Sequence, residues 1–319
     1  MHNQNLDPDA ASALDAANAS GLPPWNTIPV SDARIAYVNS CRAGVGNTID
    51  VRGAEDLPVQ LSGRTIRGRL YKPKDNDEHA GERALIIHFH GGGFVLGDLD
   101  SHDNMCRRLC RDSGAIVLAV DYRLAPEHPF PAAIDDAFES VLWARDNAET
   151  LGFEPSQVIL SGDSAGANLA LVSAIKMRDS NIDPAASIVL MYPVADTNLY
   201  TESYEKCANG YRLTRDLMTW FLNHYLPDAR TWKNPLAAPL KTKDLSGLPA
   251  TLVITAGFDP LADEGISLAN KLNNAGNMVK HIHAKGMIHG FCNMFAIMKE
   301  GATTMSKITE WIRANLSKQ

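Results

Sequence analysis

Residues 157–170 read Gln157-Val158-Ile159-Leu160-Ser161-Gly162-Asp163-Ser164-Ala165-Gly166-Ala167-Asn168-Leu169-Ala170. An apolar run of buried-strand type enters a Gly/Ser turn, and a run of helix formers leaves it. The centre, Gly162-Asp163-Ser164-Ala165-Gly166, is a G-x-S-x-G pattern in strand–turn–helix context. A serine hydroxyl is a weak nucleophile and needs a sharp turn that lifts it to where a base can reach it. Two glycines leave room for that turn and for the helix to approach the strand beneath it. Chance alone gives this five-residue pattern in roughly one chain in ten of this length, so it needs support from elsewhere.

The support lies upstream. Ala84-Leu85-Ile86-Ile87-His88-Phe89 has the composition of a buried strand and runs into His90-Gly91-Gly92-Gly93-Phe94. Successive glycines allow backbone N–H groups to converge on one point, the geometry of an oxyanion-binding loop. A flexible linker would not abut a buried strand.

When a nucleophile sits on such an elbow, the acid and then the base follow it along the chain. Thr251-Leu252-Val253-Ile254-Thr255 reads as a strand and leads to Ala256-Gly257-Phe258-Asp259-Pro260, placing Asp259 at its C-terminal end. A strand candidate from Met278 to His283 leads to Lys285-Gly286-Met287-Ile288-His289-Gly290-Phe291, placing His289 in a Gly-flanked loop. Asp263 and Glu264, on the helix after Asp259, are expected to face solvent or to cap that helix. His281 and His283 share one face of their strand and are expected to be sheet residues.

These residues carry a family resemblance. The chain resembles the bacterial hormone-sensitive-lipase-like carboxylesterases, a branch of the α/β-hydrolases. The 90–94 loop is similar to that family's oxyanion signature, and 162–166 to its nucleophile elbow. Gly97-Asp98-Leu99-Asp100-Ser101-His102-Asp103, Asp121-Tyr122-Arg123-Leu124-Ala125-Pro126-Glu127, Asp259-Pro260-Leu261-Ala262-Asp263 and Ile288-His289-Gly290-Phe291 resemble further family segments. The likeness runs from about residue 20 to near the C-terminus. It implies a catalytic triad of Ser164, Asp259 and His289. The N–H groups of Gly92, Gly93 and Ala165 would form the oxyanion hole, with His90, Gly91 and Asp163 as supporting motif residues.

Strand-like runs at 84–89, 115–120, 158–160, 187–192, 251–255 and 278–283 alternate with helical runs at 102–112, 132–149, 165–178, 261–275 and 301–316. That alternation predicts an α/β class fold with a mostly parallel sheet covered on both faces. Two stretches break it. Residues 1–50 hold an Ala-rich amphipathic start, a break at Gly21-Leu22-Pro23-Pro24 and Trp25. Residues 195–235 hold Tyr204, Tyr211, Trp220, Phe221, Tyr225 and Trp232. In the resembled family two such pieces form a helical cap over the site. Residues 1–319 are therefore expected to form one α/β-hydrolase domain with a cap from about 1–50 and about 195–235.

Composition fits a large apolar core: 45% of the 319 residues are hydrophobic and 21% charged, with a net charge of −7. That balance argues against nucleic acid or an anionic membrane surface as the main partner. No run approaches the roughly 18 apolar residues of a membrane span, and the N-terminus lacks a basic, apolar leader, so a cytoplasmic protein without membrane insertion is expected. Five cysteines form no even disulfide framework. His102, Cys106 and Cys110 fall at i, i+4 and i+8, but the outer two would lie about 12 Å apart along a helix, too far for one metal with ligand bonds of about 2.3 Å. No metal and no cofactor is expected.

The resemblance implies a serine esterase acting on a small-molecule ester of short to medium acyl length through an acyl-enzyme. A deacetylase or amidase would use the same groups, so sequence leaves it open. A true lipase lacks an obvious long apolar lid here. A ligand receptor on this fold would be expected to have lost a member of the triad, and none is lost. The oligomeric state, a homodimer included, is open.

Overall fold

The computed structural model describes residues 5–74 and 84–316. The first four residues of the 1–50 stretch lie outside the described residues. In chain order the elements are α1 Pro8–Ala19, α2 Val30–Val45, β1 Gly53–Leu61, β2 Arg64–Lys72, β3 Leu85–Phe89, α3 Asp103–Ser113, β4 Ile116–Asp121, α4 Ala132–Asp146 and α5 Ala148–Leu151. They continue with β5 Val158–Asp163, α6 Ala165–Asp179, β6 Ser187–Met191, α7 Glu202–Lys206, α8 Arg215–Tyr225, β7 Ala250–Phe258, α9 Ala262–Asn274, β8 Val279–Ile288 and α10 Lys299–Leu316.

The strands form one sheet in the order β1-β2-β4-β3-β5-β6-β7-β8. From β4 through β8 every neighbouring pair is parallel; β1–β2 and β2–β4 are antiparallel. Every residue of β3, β5 and β6 is buried, as an apolar run without alternation requires when both faces are covered. The period of two then sorts side chains between two cores. Leu85, Ile87, Phe89, Val158 and Leu160 pack with α4 and α6 on one face. Ile86, Ile159, Val189, Leu252 and Ile254 pack with α3 and α10 on the other. Among the described residues no helix is long and apolar enough to cross a membrane.

The parallel strands and their helices fall where the sequence places them, with two differences. The β1–β2 hairpin is additional, and the helix expected over 132–149 is broken. Asn147, at φ −107 and ψ 16, leaves the helical region and its side chain bonds back to the Trp143 carbonyl at 2.8 Å, so α4 ends and α5 begins a new turn.

The two stretches outside the alternation contain α1, α2, α7 and α8. α1 packs Ala10 and Leu14, with Leu6 just before it, into the core shared with α3 and α10, and Asp7 N–H donates to the Gly286 carbonyl of β8 at 3.0 Å. α2 is anchored by Arg34, whose guanidinium pairs with Glu127 at 2.6 Å and donates to the carbonyls of Val95 and Ala125. That ties α2 to the loop that follows β3.

Candidate active site

β5 delivers Ser164 at its C-terminal end. The serine adopts φ 55 and ψ −116, a left-handed conformation that turns the chain sharply before α6 starts at Ala165. A residue with a Cβ pays for such a backbone, and the surroundings over-determine it here. Ser164 N–H donates to the Met191 carbonyl at 2.8 Å, fixing the turn to β6. A Cβ at Gly166 would lie 1.8 Å from the Phe89 carbonyl oxygen, so only glycine lets α6 come this close to β3.

The base and the acid arrive from the two following strands. His289 Nε2 lies 3.0 Å from Ser164 Oγ, and His289 Nδ1 lies 2.7 Å from Asp259 Oδ2. Asp259 is fully buried just past β7, and its other oxygen accepts the Leu261 N–H at 2.8 Å. A carboxylate on Nδ1 keeps the proton there and leaves Nε2 as the acceptor facing the hydroxyl. The Tyr192 ring, 4.8 Å from the imidazole centroid, backs His289 from β6.

The glycine loop follows β3. Gly92, at φ 125, accepts the Leu96 N–H at 2.8 Å, and a Cβ there would sit 2.1 Å from the Leu96 carbonyl oxygen. The loop is held from below by Asp163, whose Oδ1 accepts the Gly91 N–H at 2.8 Å. Tyr122 braces it from β4, its hydroxyl donating to the His90 carbonyl at 2.7 Å.

Asp163 belongs to a buried ionisable cluster. His102 Nε2 stands 3.1 Å and His88 Nε2 3.8 Å from its Oδ1. Burial raises the Asp163 carboxyl, but the His102 imidazole, with His88 and His90, outweighs that and holds it down to about 2. Burial pushes His88 down to about 3, and burial together with His102 lowers His90, whose Nδ1 sits on the Gly91 carbonyl at 2.8 Å. The result is an anion locked under the elbow, linking nucleophile turn to glycine loop.

Ser164 and His289 open on a cleft. Gly92, Gly93 and Asp163 line it beside the serine, with Trp25, Tyr37 and Cys41 from the 1–50 stretch and Arg212, Leu213, Leu217 and Phe221 from the 195–235 stretch. Burial pushes the Cys41 thiol up to about 12, so it holds no thiolate to compete with Ser164. Among the described residues no group of three or more His, Cys, Asp or Glu side chains is placed to hold a metal. Cys106 and Cys110 are buried in the core that α3 shares with α10.

All the sequence-predicted site residues therefore meet in one place. His281 and His283 lie elsewhere, sharing the Thr255 hydroxyl on β7 at 2.9 and 2.8 Å. Asp263 and Glu264 do not follow expectation. Asp263 accepts the Ser203 N–H at 2.8 Å, and Glu264 is buried rather than solvent-facing, accepting the Ala195 N–H at 2.7 Å. Burial raises the Glu264 carboxyl well above the usual range. The roles of His88 and His102 were not read from sequence, because they lie far upstream of the carboxylate they surround. The only signal was that His102 falls within a family-like segment.

The chain is similar to known ester hydrolases. A family described by the alpha/beta hydrolase fold matches residues 86–293. A carboxylic ester hydrolase of Mycobacterium tuberculosis (LipN) is 37% identical, the match covering 98% of this chain and 84% of that one. An ethyl acetate hydrolase of Pseudomonas putida is 32% identical over 98% of this chain and 100% of its own. The solved structure of a hyperthermophilic esterase from the archaeon Pyrobaculum calidifontis superposes with a TM-score of 0.91 at 38% identity, covering 97% of this chain and 98% of that one.

Proposed function

This chain belongs to the alpha/beta hydrolase fold family, in its hormone-sensitive-lipase-like branch, and is a carboxylic ester hydrolase, whose reaction we propose is carried by Ser164, His289 and Asp259. His289 Nε2 takes the Ser164 proton as Oγ attacks the ester carbonyl carbon. Asp259 holds the imidazole tautomer and stabilises the imidazolium. The N–H groups of Gly92, Gly93 and Ala165 receive the developing oxyanion, each donor contributing about 3–4 kcal/mol to the barrier reduction. His289 gives the proton to the departing alcohol. Water, deprotonated by the same imidazole, then releases the acid from Ser164.

The observation that carries the reading is the unbroken relay Asp259–His289–Ser164, at 2.7 and 3.0 Å, opening beside the glycine loop. The apolar side chains of Trp25, Leu217 and Phe221 beside the serine support short- to medium-chain acyl groups as substrates. Those side chains come from the 1–50 and 195–235 stretches, which we assign as the cap, with residues between and beyond them forming the catalytic core. An odd number of cysteines, all five buried, supports a cytoplasmic location.

The test is turnover of an aryl-ester series of increasing acyl length, with an amide analogue alongside, by wild type and Ser164→Ala. The expected result is an optimum at short to medium length, a much slower amide, and a loss of at least about 10⁴-fold in the variant. A folded Ser164→Ala protein that keeps substantial activity would refute the assignment.

A further inference from the structure

Among the described residues one charge in the cleft has no carboxylate partner. Arg212 lines it together with Ser164 and His289. Its guanidinium lies 5.7 Å from the Trp25 ring centroid, and Nη1 is 3.6 Å from the Met294 sulfur. Its Nε approaches Gly290, the residue after His289; a Cβ there would be 4.0 Å away. Other arginines sit on carboxylates: Arg34 on Glu127, Arg64 and Arg123 on Asp136, Arg69 on Asp56. Among the described residues no carboxylate pairs with Arg212. Asp163, the acidic member of the lining, is already engaged by the Gly91 N–H and His102. Arg212 also has φ 68, a left-handed backbone that a residue with a Cβ adopts only against resistance.

We propose that Arg212 is a specificity residue for an anionic group on the substrate, so that the preferred esters carry an ionised carboxylate besides the scissile bond. This rests on the esterase reading of the same cleft. Three physical points carry it. A guanidinium presents a planar fork of donors matched to a carboxylate, and its weak hydration makes it easy to desolvate. The neighbouring walls are apolar, with Trp25, Leu213, Leu217 and Phe221, and an ion pair gains strength where water is displaced. The chain as a whole carries −7, so its overall field does not draw anions in and the attraction is local to this side chain.

The carboxylate can sit on either half of the ester, and two substrate arms separate the cases. On the acyl side, mono-ethyl esters of four- to six-carbon dicarboxylic acids are compared with ethyl esters of neutral acids of matching length. On the alcohol side, acetyl esters of hydroxy acids are compared with acetyl esters of neutral alcohols. Both pairs are measured with wild type, Arg212→Gln and Arg212→Lys, the folding of each checked by thermal unfolding. Gln meets the same backbone constraint as Arg but carries no charge; Lys restores the charge. In at least one arm, wild type is expected to favour the anionic ester in kcat/KM. Arg212→Gln should lower that anionic-to-neutral ratio by about tenfold or more, chiefly through KM, as loss of a charge-assisted hydrogen bond implies. Arg212→Lys should recover part of it. A wild type that prefers the neutral ester in both arms, or a ratio unchanged in folded Arg212→Gln, overturns the proposal. Turnover of neither class by wild type would refute the esterase reading itself, and the proposal with it.

Discussion

Replacing Asp163 with Asn removes one negative charge while leaving an oxygen to accept the Gly91 N–H. The carboxyl is only 3% exposed and titrates at about 2 in the fold, so solvent screening does not dilute the effect. Its depression below the ordinary value of 3.8 means that the folded protein prefers the ionised form. At about 1.4 kcal/mol per unit, that preference is worth about 2 kcal/mol at neutral pH. Because the folded value is the lower one, the contribution is fully present above about pH 4. It falls as the pH drops towards the folded value, with roughly half gone near pH 3. The assay is urea unfolding of wild type and Asp163→Asn at a series of pH values between 7 and 3, taken as the difference between the two proteins so that titrations remote from the Asp163 cluster cancel. The expected difference is about 2 kcal/mol at pH 7, roughly 3 °C in melting temperature for a chain of this length, shrinking by about half at pH 3. A difference near zero at pH 7, or one that stays constant to pH 3, would refute the claim that a buried anion holds the glycine loop to the elbow.

Three further outcomes follow from the same geometry. Asp259→Asn should lower kcat by about 10⁴-fold by favouring the wrong imidazole tautomer, whereas Asp263→Asn should leave kcat within a few-fold and register mainly as a small loss of stability at the Ser203 contact; steady-state kinetics of both variants decide which carboxylate matters. Gly166→Ala should destabilise by about 3 kcal/mol or more, or fail to fold, since its methyl would meet the Phe89 carbonyl at 1.8 Å; chemical unfolding measures it. Phe221→Leu, which trims a wall of the cleft beside Gly93, should alter kcat/KM for medium-chain esters several-fold more than for acetyl esters, and an equal change at every chain length would argue against the cap.

The parallel part of the sheet was legible because β3, β6 and the first half of β5 are apolar at nearly every position, the pattern of a strand covered on both faces. The hairpin was not. β2 carries Arg64, Arg67 and Arg69, and β1 carries Glu55 and Asp56, so neither is an apolar run. In the fold two of those arginines find partners across strands: Arg69 opposes Asp56 in register and pairs with it at 2.5 Å, and Arg67 opposes Asp121 of β4 and pairs at 2.7 Å. Such pairing depends on a register that no single segment reveals. Glu264 was misread for a related reason. Acidic residues in a first helical turn ordinarily face water, but α9 packs that turn against the start of the 195–235 stretch, where the Ala195 and Asp196 N–H groups need an acceptor. The residues proposed for the chemistry were visible because each needs a local signature: a turn flanked by glycines, or the end of a strand. Arg212 had none, and its meaning lies in what does not surround it.

The most direct test of the central claim is to catch the acyl-enzyme. Wild type is mixed with an excess of an aryl acetate, quenched in acid within the first turnovers, digested and read by mass spectrometry. The account predicts a burst of phenol no larger than one equivalent per chain when deacylation is the slower step, and one acetyl group on the peptide that contains Ser164. Asp259→Asn should accumulate it far more slowly, and Ser164→Ala not at all. Acetyl on another residue, or an unchanged label in Ser164→Ala, would contradict it.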